Sequence, residues 1–346
     1  MCHLIYTDTF YMKRKWIRWV SWILLTPIIL FVILMVLLYV PPVQNLLRRE
    51  VTAYASKATG MQIQVERIDL RFPLNLLVRG VEVIQQPDTL LSLESLNVRV
   101  QAWPLIKGKV EVDEVTLSRV AVNSADLMEG MNIKGVLGRF FLQSHGVDLS
   151  NELAVINQVE LSDTHVQLLM NDTTTTPKDT TASAPINWKV ALHQLKLKNV
   201  SFSMQLPADS MRMAAHIGEA AIDDAQADLK NQYYDLKKFL LSGTSVSYDT
   251  GTAQPAEGFD ASHIAVRDIR IALDSLLYKG RDMNAVIREF TMNERSGLSV
   301  TSLTGRAYSN DSVICVPGLK LNTPHSEIDL SAHTYWELVN IPTTGR

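Results

Sequence analysis

The chain has 346 residues, of which 47% are hydrophobic, and a formal net charge of −3. That length is enough for one large domain or two ordinary ones with a sizeable core. Residues 1–18 contain four basic residues and one acidic residue, a net charge of +3, so the rest of the chain carries −6. Nucleic-acid binding needs clustered Lys and Arg, so a mildly acidic body argues against a nucleic-acid partner.

Residues 19–40, WVSWILLTPIILFVILMVLLYV, contain no charged residue. As a helix with a rise of about 1.5 Å per residue they would span roughly 33 Å, which is enough for a bilayer core of about 30 Å. The basic residues in 1–18 precede this segment and predict a cytoplasmic N-terminus, a bias that Arg48 and Arg49 reduce without reversing. We therefore expect a single transmembrane helix at 19–40, with the rest of the chain outside the cytoplasm.

A cleaved signal peptide is the alternative interpretation of this segment. Such a peptide has an apolar core of about 7–15 residues, followed by a cleavage site with small residues. The apolar core here is longer, and Val40, Pro41 and Pro42 do not form such a site. An uncleaved anchor is therefore favoured. Met12 directly precedes the basic cluster and is an alternative start of the chain.

The segment after the anchor, residues 41–60, is predicted to be a short helix. Residues 43–59, VQNLLRREVTAYASKAT, have a helical pattern, and Gly60 is a suitable C-terminal stop. From residue 61 to 346 the apolar residues alternate instead with a period of two. Residues 98–122 are typical, because they read as a strand, a Pro/Gly turn and a second strand with one apolar and one charged side.

One spacing of apolar residues recurs within 61–346, at positions 0, 3, 5, 8 and 10 of a unit. Such units begin at residues 112, 156, 192, 217, 236 and 261. A step of two is the strand period, whereas a step of three inverts the face unless the strand bulges or turns. Polar pairs fill the longer steps, and we expect bulges or tight turns at Asp113-Glu114, Ser118-Arg119 and Arg267-Asp268.

Three segments depart from this rhythm. Residues 222–241 could form an amphipathic helix, but the units on both sides favour strands. Residues 124–141 are predicted to be a helix, because Leu127, Met131, Val136 and Phe140 fall roughly on one helical face. Residues 171–186, NDTTTTPKDTTASAPI, are low in complexity and are predicted to be a solvated loop within the β region.

The sequence contains no recognisable catalytic motif. It lacks H-E-x-x-H, C-x-x-C, G-x-G-x-x-G, a P-loop and the G-x-S-x-G of a nucleophile elbow. Its eight histidines are scattered, and none has a metal-ligand spacing to another His or Cys. We therefore expect no enzyme, no cofactor and no metal. A cleft with two buried carboxylates, or with a His–carboxylate pair, would indicate an enzyme instead.

The order of these features resembles the N-terminal region of the AsmA-like superfamily, and of its TamB-like proteins of Gram-negative envelopes in particular. The similarity covers about residues 13–122 and is diffuse afterwards. It consists of the anchor, a "G-x-x-apolar-x-apolar" strand, a "gv-x-apolar" strand and a "pLl-x-g-k" turn. The matching residues are Gly60, Ile63, Val65, Gly80, Val81, Val83, Pro104, Leu105, Ile106, Gly108 and Lys109.

The resemblance implies an elongated, curved β-sheet with a taco-like apolar groove that extends across the periplasm from the inner membrane. Members of the superfamily are implicated in phospholipid transport between the two membranes, and TamB-like members in outer-membrane protein assembly with a barrel partner. Such proteins usually exceed a thousand residues. We therefore expect this chain to be an N-terminal fragment or a truncated gene product, and contact with an outer-membrane barrel to require a C-terminal region that it lacks.

The resulting prediction is a mainly β protein with one N-terminal transmembrane helix and one or two short helices, anchored in the inner membrane with a periplasmic body. The leading hypothesis is that phospholipid acyl chains occupy its apolar groove; the alternative is a scaffold for outer-membrane protein assembly. If a second sheet covered the apolar side, the same residues would be ordinary core. The residues predicted to line the groove are Val115, Leu117, Leu195, Leu197, Ile264 and Val266.

Overall fold

A computed structural model describes most of the β region and the helix that precedes it. The described residues are 39–72, 74–85, 87–101, 103–104, 111–124, 130–148, 151–170, 187–251 and 254–336. The basic N-terminus, all but the last two residues of the predicted transmembrane segment, and the low-complexity segment 171–186 lie outside them. Within the described ranges, no helix is long and apolar enough to cross a bilayer.

Within the described ranges, the elements are one helix and a succession of strands. Helix α1 spans Pro41–Thr59, and a short 3-10 turn spans Pro207–Asp209. The strands are β1 (Gln62–Arg71), β2 (Asn75–Gln85), β3 (Asp88–Val100), β4 (Val112–Asn123), β5 (Met131–Asp148), β6 (Leu153–Met170), β7 (Lys189–Leu206), β8 (Met211–Asp228), β9 (Tyr233–Asp249), β10 (His263–Lys279), β11 (Asp282–Glu294), β12 (Ser299–Val300), β13 (Ser302–Ser309), β14 (Val313–Asn322) and β15 (Glu327–Tyr335).

The helix α1 has the boundaries that its sequence favours. A proline in its first turn lacks the N–H that would be unpaired there and has a φ suited to a helix start. Gly60 adopts a left-handed conformation (φ 71°), and its N–H donates to the carbonyl of Ser56 at 3.0 Å. This is the C-terminal stop predicted for the segment.

All fifteen strands belong to one long, curved, open sheet. Strand order follows the chain from β1 to β11 and continues through β13, β14 and β15, while β12 pairs with β11. Neighbouring strands are antiparallel except β6 and β7, which run parallel with Leu153 opposite Lys189. A sheet built mainly from successive hairpins explains why the alternation in the sequence persists over so many residues.

The sheet is a single layer in the described part of the chain. Strands make their main contacts with their neighbours in the sheet, and α1 packs on β1. No large side chain among the described residues is fully buried, and the most buried apolar residue is the small Ala272, at 1% exposure. The predicted mainly β fold with a curved sheet is therefore confirmed, and no second sheet formed by the described residues covers the apolar side.

Helix α1 covers the outer edge of the first strand. Ser56 Oγ accepts a hydrogen bond from the backbone N–H of Ile63 at 3.1 Å, and Gln44 Nε2 donates to the carbonyl of Leu70 at 3.0 Å. These side chains replace part of the strand partner that β1 lacks on that side. An edge covered in this way is protected from pairing with another chain.

As predicted, the strands are irregular where the apolar residues of a repeated unit are three positions apart. The eighth residue of every unit has a positive φ, between 46° and 59°, and interrupts the alternation. At Asp113-Glu114, β3 and β4 shift register between Arg99 and Val100, so a bulge occurs there too. The eighth residues are Arg119, Asp163, Asn199, Asp224, Gly243 and Asp268.

The predicted helix at 124–141 is wrong over its described residues. Residues 131–141 lie in β5, which pairs along its length with β4 and β6. The helical spacing placed Val136 and Phe140 on one face of a helix. In the sheet, Val136 is opposite the polar residue His165. Phe140 is instead opposite Leu161, in a row of apolar side chains. At 222–241 the favoured interpretation is confirmed, because β8 and β9 are joined by a turn between Asp228 and Tyr233.

Candidate functional site: an uncovered apolar face

Apolar side chains form continuous rows across the sheet. Residues directly opposite each other in a ladder lie on the same face, so each row can be followed from strand to strand through the register. One row crosses eleven strands without a polar residue, and we call it row 1: Ile68, Val78, Leu96, Leu117, Phe140, Leu161, Leu197, Ala220, Leu241, Ile271 and Phe290.

A second apolar row, row 2, runs beside the first on the same face. Its members are two residues away from those of row 1 on most strands, which is the period that returns a side chain to the same side. It crosses the same eleven strands: Leu70, Leu76, Val98, Val115, Leu142, Val159, Leu195, Ile222, Phe239, Leu273 and Ile287.

The rows of side chains that flank this apolar pair are polar. Beyond row 1, a ladder of Arg, Ser, Lys and Glu residues extends from Arg79 through Arg139 to Ser242. Beyond row 2, another extends from Arg99 through Gln143 to Lys238. Because neighbouring positions point to opposite faces, these two polar ladders lie on the face opposite rows 1 and 2.

The burial of rows 1 and 2 shows how open this face is. Ile68 and Ala220 are buried, and the other twenty members are half-buried. Neighbouring strands lie about 4.8 Å apart, so side chains of adjacent strands cover each other's flanks while their outer ends stay accessible. Half-burial of all but two members of these rows is what a single-layer sheet with an apolar face left open by the described residues should give.

Four of the six predicted groove residues fall in these two rows. Val115 and Leu195 belong to row 2, and Leu117 and Leu197 belong to row 1. The structure thus places residues that are eighty positions apart in sequence in the same rows, on β4 and β7. All four side chains are half-buried.

The other two predicted residues lie further along the strands. Val266 is opposite Val246, and Ile264 is opposite Tyr248. These pairs belong to separate apolar ladders toward the other end of β9 and β10, so the structure does not bring Ile264 and Val266 into rows 1 and 2. Both side chains are half-buried.

Sequence reasoning missed several members of the rows, of which Phe140 and Leu142 are the most informative. Both lie in or next to the segment that was assigned to a helix. A usable signal was present, because Leu137, Phe140 and Leu142 repeat the three-then-two spacing of the units found elsewhere. Gly138 fills the step of three there.

A His–carboxylate pair joins the first residue of β10 to the loop before it. His263 Nδ1 is 2.9 Å from Asp260 Oδ2, and only 7% of the His263 side chain is exposed. Asp260 also accepts hydrogen bonds from the backbone N–H groups of Ala256 and Ser262. These bonds hold the pKa of Asp260 at about 2, so the carboxylate is charged and organises its loop.

The surroundings of this pair do not complete a catalytic arrangement. A depression of about 580 Å³ beside His263 is lined by Ser210, Arg212 and Asp249 among others. Among the described residues no hydrogen bond joins Ser210 to His263, so Ser210 has no base positioned beside it. The described residues also contain no cluster of three potential metal ligands. Asp260 and His263 therefore have a structural explanation.

No family model and no curated protein sequence matches this chain. The AsmA-like resemblance therefore stays a prediction from the apolar spacings and the turn in the sequence.

Proposed function

We propose that this chain is a non-enzymatic envelope protein of the AsmA-like, TamB-like type that carries phospholipid acyl chains on its apolar face. In this proposal residues 19–40 anchor it in the bacterial inner membrane, with residues 1–18 in the cytoplasm and the β region in the periplasm. Phospholipid then moves between the inner and outer membranes along the sheet, and the protein makes and breaks no covalent bond.

The observation that carries the proposal is the uncovered state of rows 1 and 2. Exposing an acyl chain to water costs about 0.8 kcal/mol per methylene. An acyl chain that leaves a bilayer for an apolar trough exchanges one apolar environment for another and avoids most of that cost. The hydrophobic effect is non-directional, so such a site needs no particular polar residue. This agrees with the absence of a sequence motif.

The direction of the rows favours a path along the sheet. Rows 1 and 2 run across the strands, and eleven strands at about 4.8 Å spacing give a continuous strip of roughly 48 Å. One leaflet of a bilayer core is about 15 Å thick, half of about 30 Å. Several acyl chains could therefore lie end to end along one row without meeting a polar interruption.

Site-specific photocrosslinking tests this proposal directly. Benzoylphenylalanine in place of Val115 or Leu195 should crosslink phospholipid in cells. In place of Thr116 or Gln194, the next residues on the same strands, the probe points to the opposite face and should crosslink little lipid. Equal lipid adducts on both faces, or none on the apolar face, would overturn the proposal.

The alternative is a scaffold that assists assembly of an outer-membrane barrel protein. The exposed apolar side chains on β15 favour it, since Ile328 and Leu330 are 49% and 46% exposed. Under this alternative, a barrel protein should co-purify with the chain even when Leu117 and Leu195 are replaced by Asp. Loss of the barrel protein in that variant would favour the lipid path instead.

A further inference from the structure

Helix α1 has one side against the sheet and one side that faces away from it. Gln44, Arg48 and Ser56 hold α1 to β1, and they are spaced by multiples of four residues, so they lie on the same side of the helix. The opposite side carries Leu46 and Tyr54, which are 57% and 77% exposed. The outer side of α1 is therefore partly apolar.

An exposed aromatic residue extends this surface at the turn between β1 and β2. Phe72 is 85% exposed, more than any other large apolar residue among those described. Its ring centroid lies 6.4 Å from that of Tyr39, in an edge-on arrangement. Gln44 donates to the carbonyl of Leu70 close by. The start of α1 and the β1–β2 turn thus meet at one corner of the sheet.

Basic residues flank the exposed apolar side chains. Arg49 and Lys57 of α1 and Arg71 at the end of β1 are all exposed. Glu50 is the single acidic residue of α1, so the helix carries a positive balance of charge. Apolar and aromatic side chains bordered by Lys and Arg are typical of surfaces that lie on a bilayer with anionic lipids.

The chain enters α1 directly from the proposed membrane anchor. The uncharged segment 19–40 ends at Val40, and α1 begins at Pro41. Val40 is extended (φ −81°, ψ 131°), the conformation favoured before a proline, so α1 is free to turn away from the direction of the anchor. With residues 19–40 in a bilayer, the corner formed by Tyr39 and Phe72 lies at the level of the lipid headgroups.

We propose that the outer side of α1 and the β1–β2 turn rest on the periplasmic surface of the inner membrane, which presupposes the anchor of the proposed function. Leu46, Tyr54 and Phe72 enter the boundary between headgroups and acyl chains, where the hydrophobic effect favours their burial. Arg49 and Lys57 bind the phosphate groups of the surrounding lipids.

This arrangement determines where the apolar face meets the bilayer. β1 lies against α1 and carries Ile68 and Leu70, the first members of rows 1 and 2. Each further strand lies about 4.8 Å further along the sheet from α1. With α1 on the membrane, both rows begin at the bilayer surface and lead away from it. β1 is then the place where a phospholipid enters the apolar face.

Spin-label depth measurements test the docking on the full chain in vesicles of phosphatidylethanolamine and phosphatidylglycerol. A single nitroxide is attached at Leu46→Cys, Tyr54→Cys or Phe72→Cys in a Cys2→Ser, Cys315→Ser background. Oxygen collects among acyl chains and a water-soluble nickel chelate stays outside, so their relative effects on power saturation give the depth of the label. We expect these labels about 5–10 Å below the headgroup level, the depth to which interfacial helices bury their apolar face.

Two exposed apolar residues far along the sheet provide matched controls. Phe259 and Leu298, in loops beside β10 and β11, are 66% and 49% exposed. Labels at Phe259→Cys and Leu298→Cys should be fully accessible to the nickel chelate. Leu46→Glu combined with Phe72→Glu should bring the Tyr54→Cys label into water, whereas Phe259→Glu combined with Leu298→Glu should leave its depth unchanged.

The outcomes separate the docking from the lipid path. Labels at Leu46 and Phe72 that the chelate reaches as readily as at Phe259 would overturn the docking, as would labels shielded from both reagents, because protein would then cover them. Either result leaves the lipid path standing if a probe at Val115 still crosslinks phospholipid. Labels at bilayer depth without that crosslink would retain the docking and reject the path. A chain that does not float with the vesicles would reject the anchor and the docking together.

Discussion

Arg48 of α1 donates through Nη1 to the backbone carbonyl of Glu66 on β1, at 2.6 Å. Arg48 and Gln44 are one helical turn apart and both reach carbonyls of the same strand edge. Arg48 therefore has a structural role. In the sequence it counted only toward the distribution of charge on the two sides of the predicted membrane segment. It fixes the helix that follows the predicted anchor to the first strand of the sheet.

Removing one of these edge contacts should loosen β1 locally. In Ser56→Ala, the N–H of Ile63 loses its acceptor, and a hydrogen bond of this kind contributes about 0.5–1.5 kcal/mol. Hydrogen exchange of the Ile63 amide should accelerate roughly 2- to 13-fold, the factor that this energy range corresponds to. Thr301→Ala is the control, because it removes a hydroxyl that bonds to the carbonyl of Asn322, far from β1. Unchanged exchange at Ile63 would contradict the edge contact.

Because the apolar face is open, replacing a leucine on it by alanine should lower the free energy of unfolding less than in a closed core. Leu→Ala in a closed core costs about 2–5 kcal/mol, because it loses burial and leaves a cavity. Leu161 and Leu195 are half-buried with no layer above them, so Leu161→Ala and Leu195→Ala should each lower the free energy of unfolding by only about 1–2 kcal/mol. Chemical denaturation measures this. Values near 4 kcal/mol for both would indicate a covering layer.

Gly138 allows β5 and β6 to approach closely. A Cβ on Gly138 would lie 2.7 Å from the Cβ of Asp163, which has a left-handed φ of 50°. Gly138→Ala should therefore destabilise the sheet by about 1–3 kcal/mol through overpacking, seen as a lower melting temperature. Gly318→Ala is the matched control, since nothing lies within 4 Å of its added Cβ. Equal melting temperatures for the two variants would contradict the close approach of β5 and β6 at Gly138.

Acid should release the loop that Asp260 organises. Hydrogen bonds from Ala256, Ser262 and His263 lower the Asp260 pKa to about 2 from an ordinary value of 3.8. A lowered pKa stabilises the fold above the ordinary value, and the contribution is lost as the pH falls through about 2. Exchange protection of the Ser262 amide should therefore fall between about pH 4 and pH 2.

Asp260→Asn separates this effect from general acid unfolding. The variant should show weak protection of Ser262 that does not change over the same pH range, because the titrating group is gone. Asp249→Asn, on the neighbouring strand, should keep the pH dependence of the parent chain. An Asp260→Asn variant that retains the same transition would assign it to another group.

The strands and their irregularities were predictable from local spacing. Three-residue steps filled by polar pairs predicted bulges, and Arg119 and Asp268 adopt left-handed conformations there. The structure adds that these residues recur at one position of every unit, so the apolar set stays on one face. In β5 the same signal was obscured, because Gly135 and Gly138 leave gaps in its apolar pattern and a helical spacing fits the remaining residues.

The assembly of the rows was not predictable, because it depends on register between strands. Leu117 and Leu197 share row 1 only through the pairing of β4 with β5, β5 with β6, and β6 with β7. The last of these is parallel, and no local pattern distinguishes a parallel neighbour from an antiparallel one. The contact between α1 and the edge of β1 was not predictable either. The side chains that make it have the same spacing as those on any solvent-exposed helix face.

The most direct test of the central claim is whether phospholipid acyl chains contact row 2. An environment-sensitive fluorophore on Leu195→Cys, in a Cys2→Ser, Cys315→Ser background, would be exposed to phospholipid brominated on its acyl chains. The account predicts strong quenching there and little at Gln194→Cys, the adjacent position on the opposite face. Equal quenching at both positions, or none at Leu195→Cys, would contradict it.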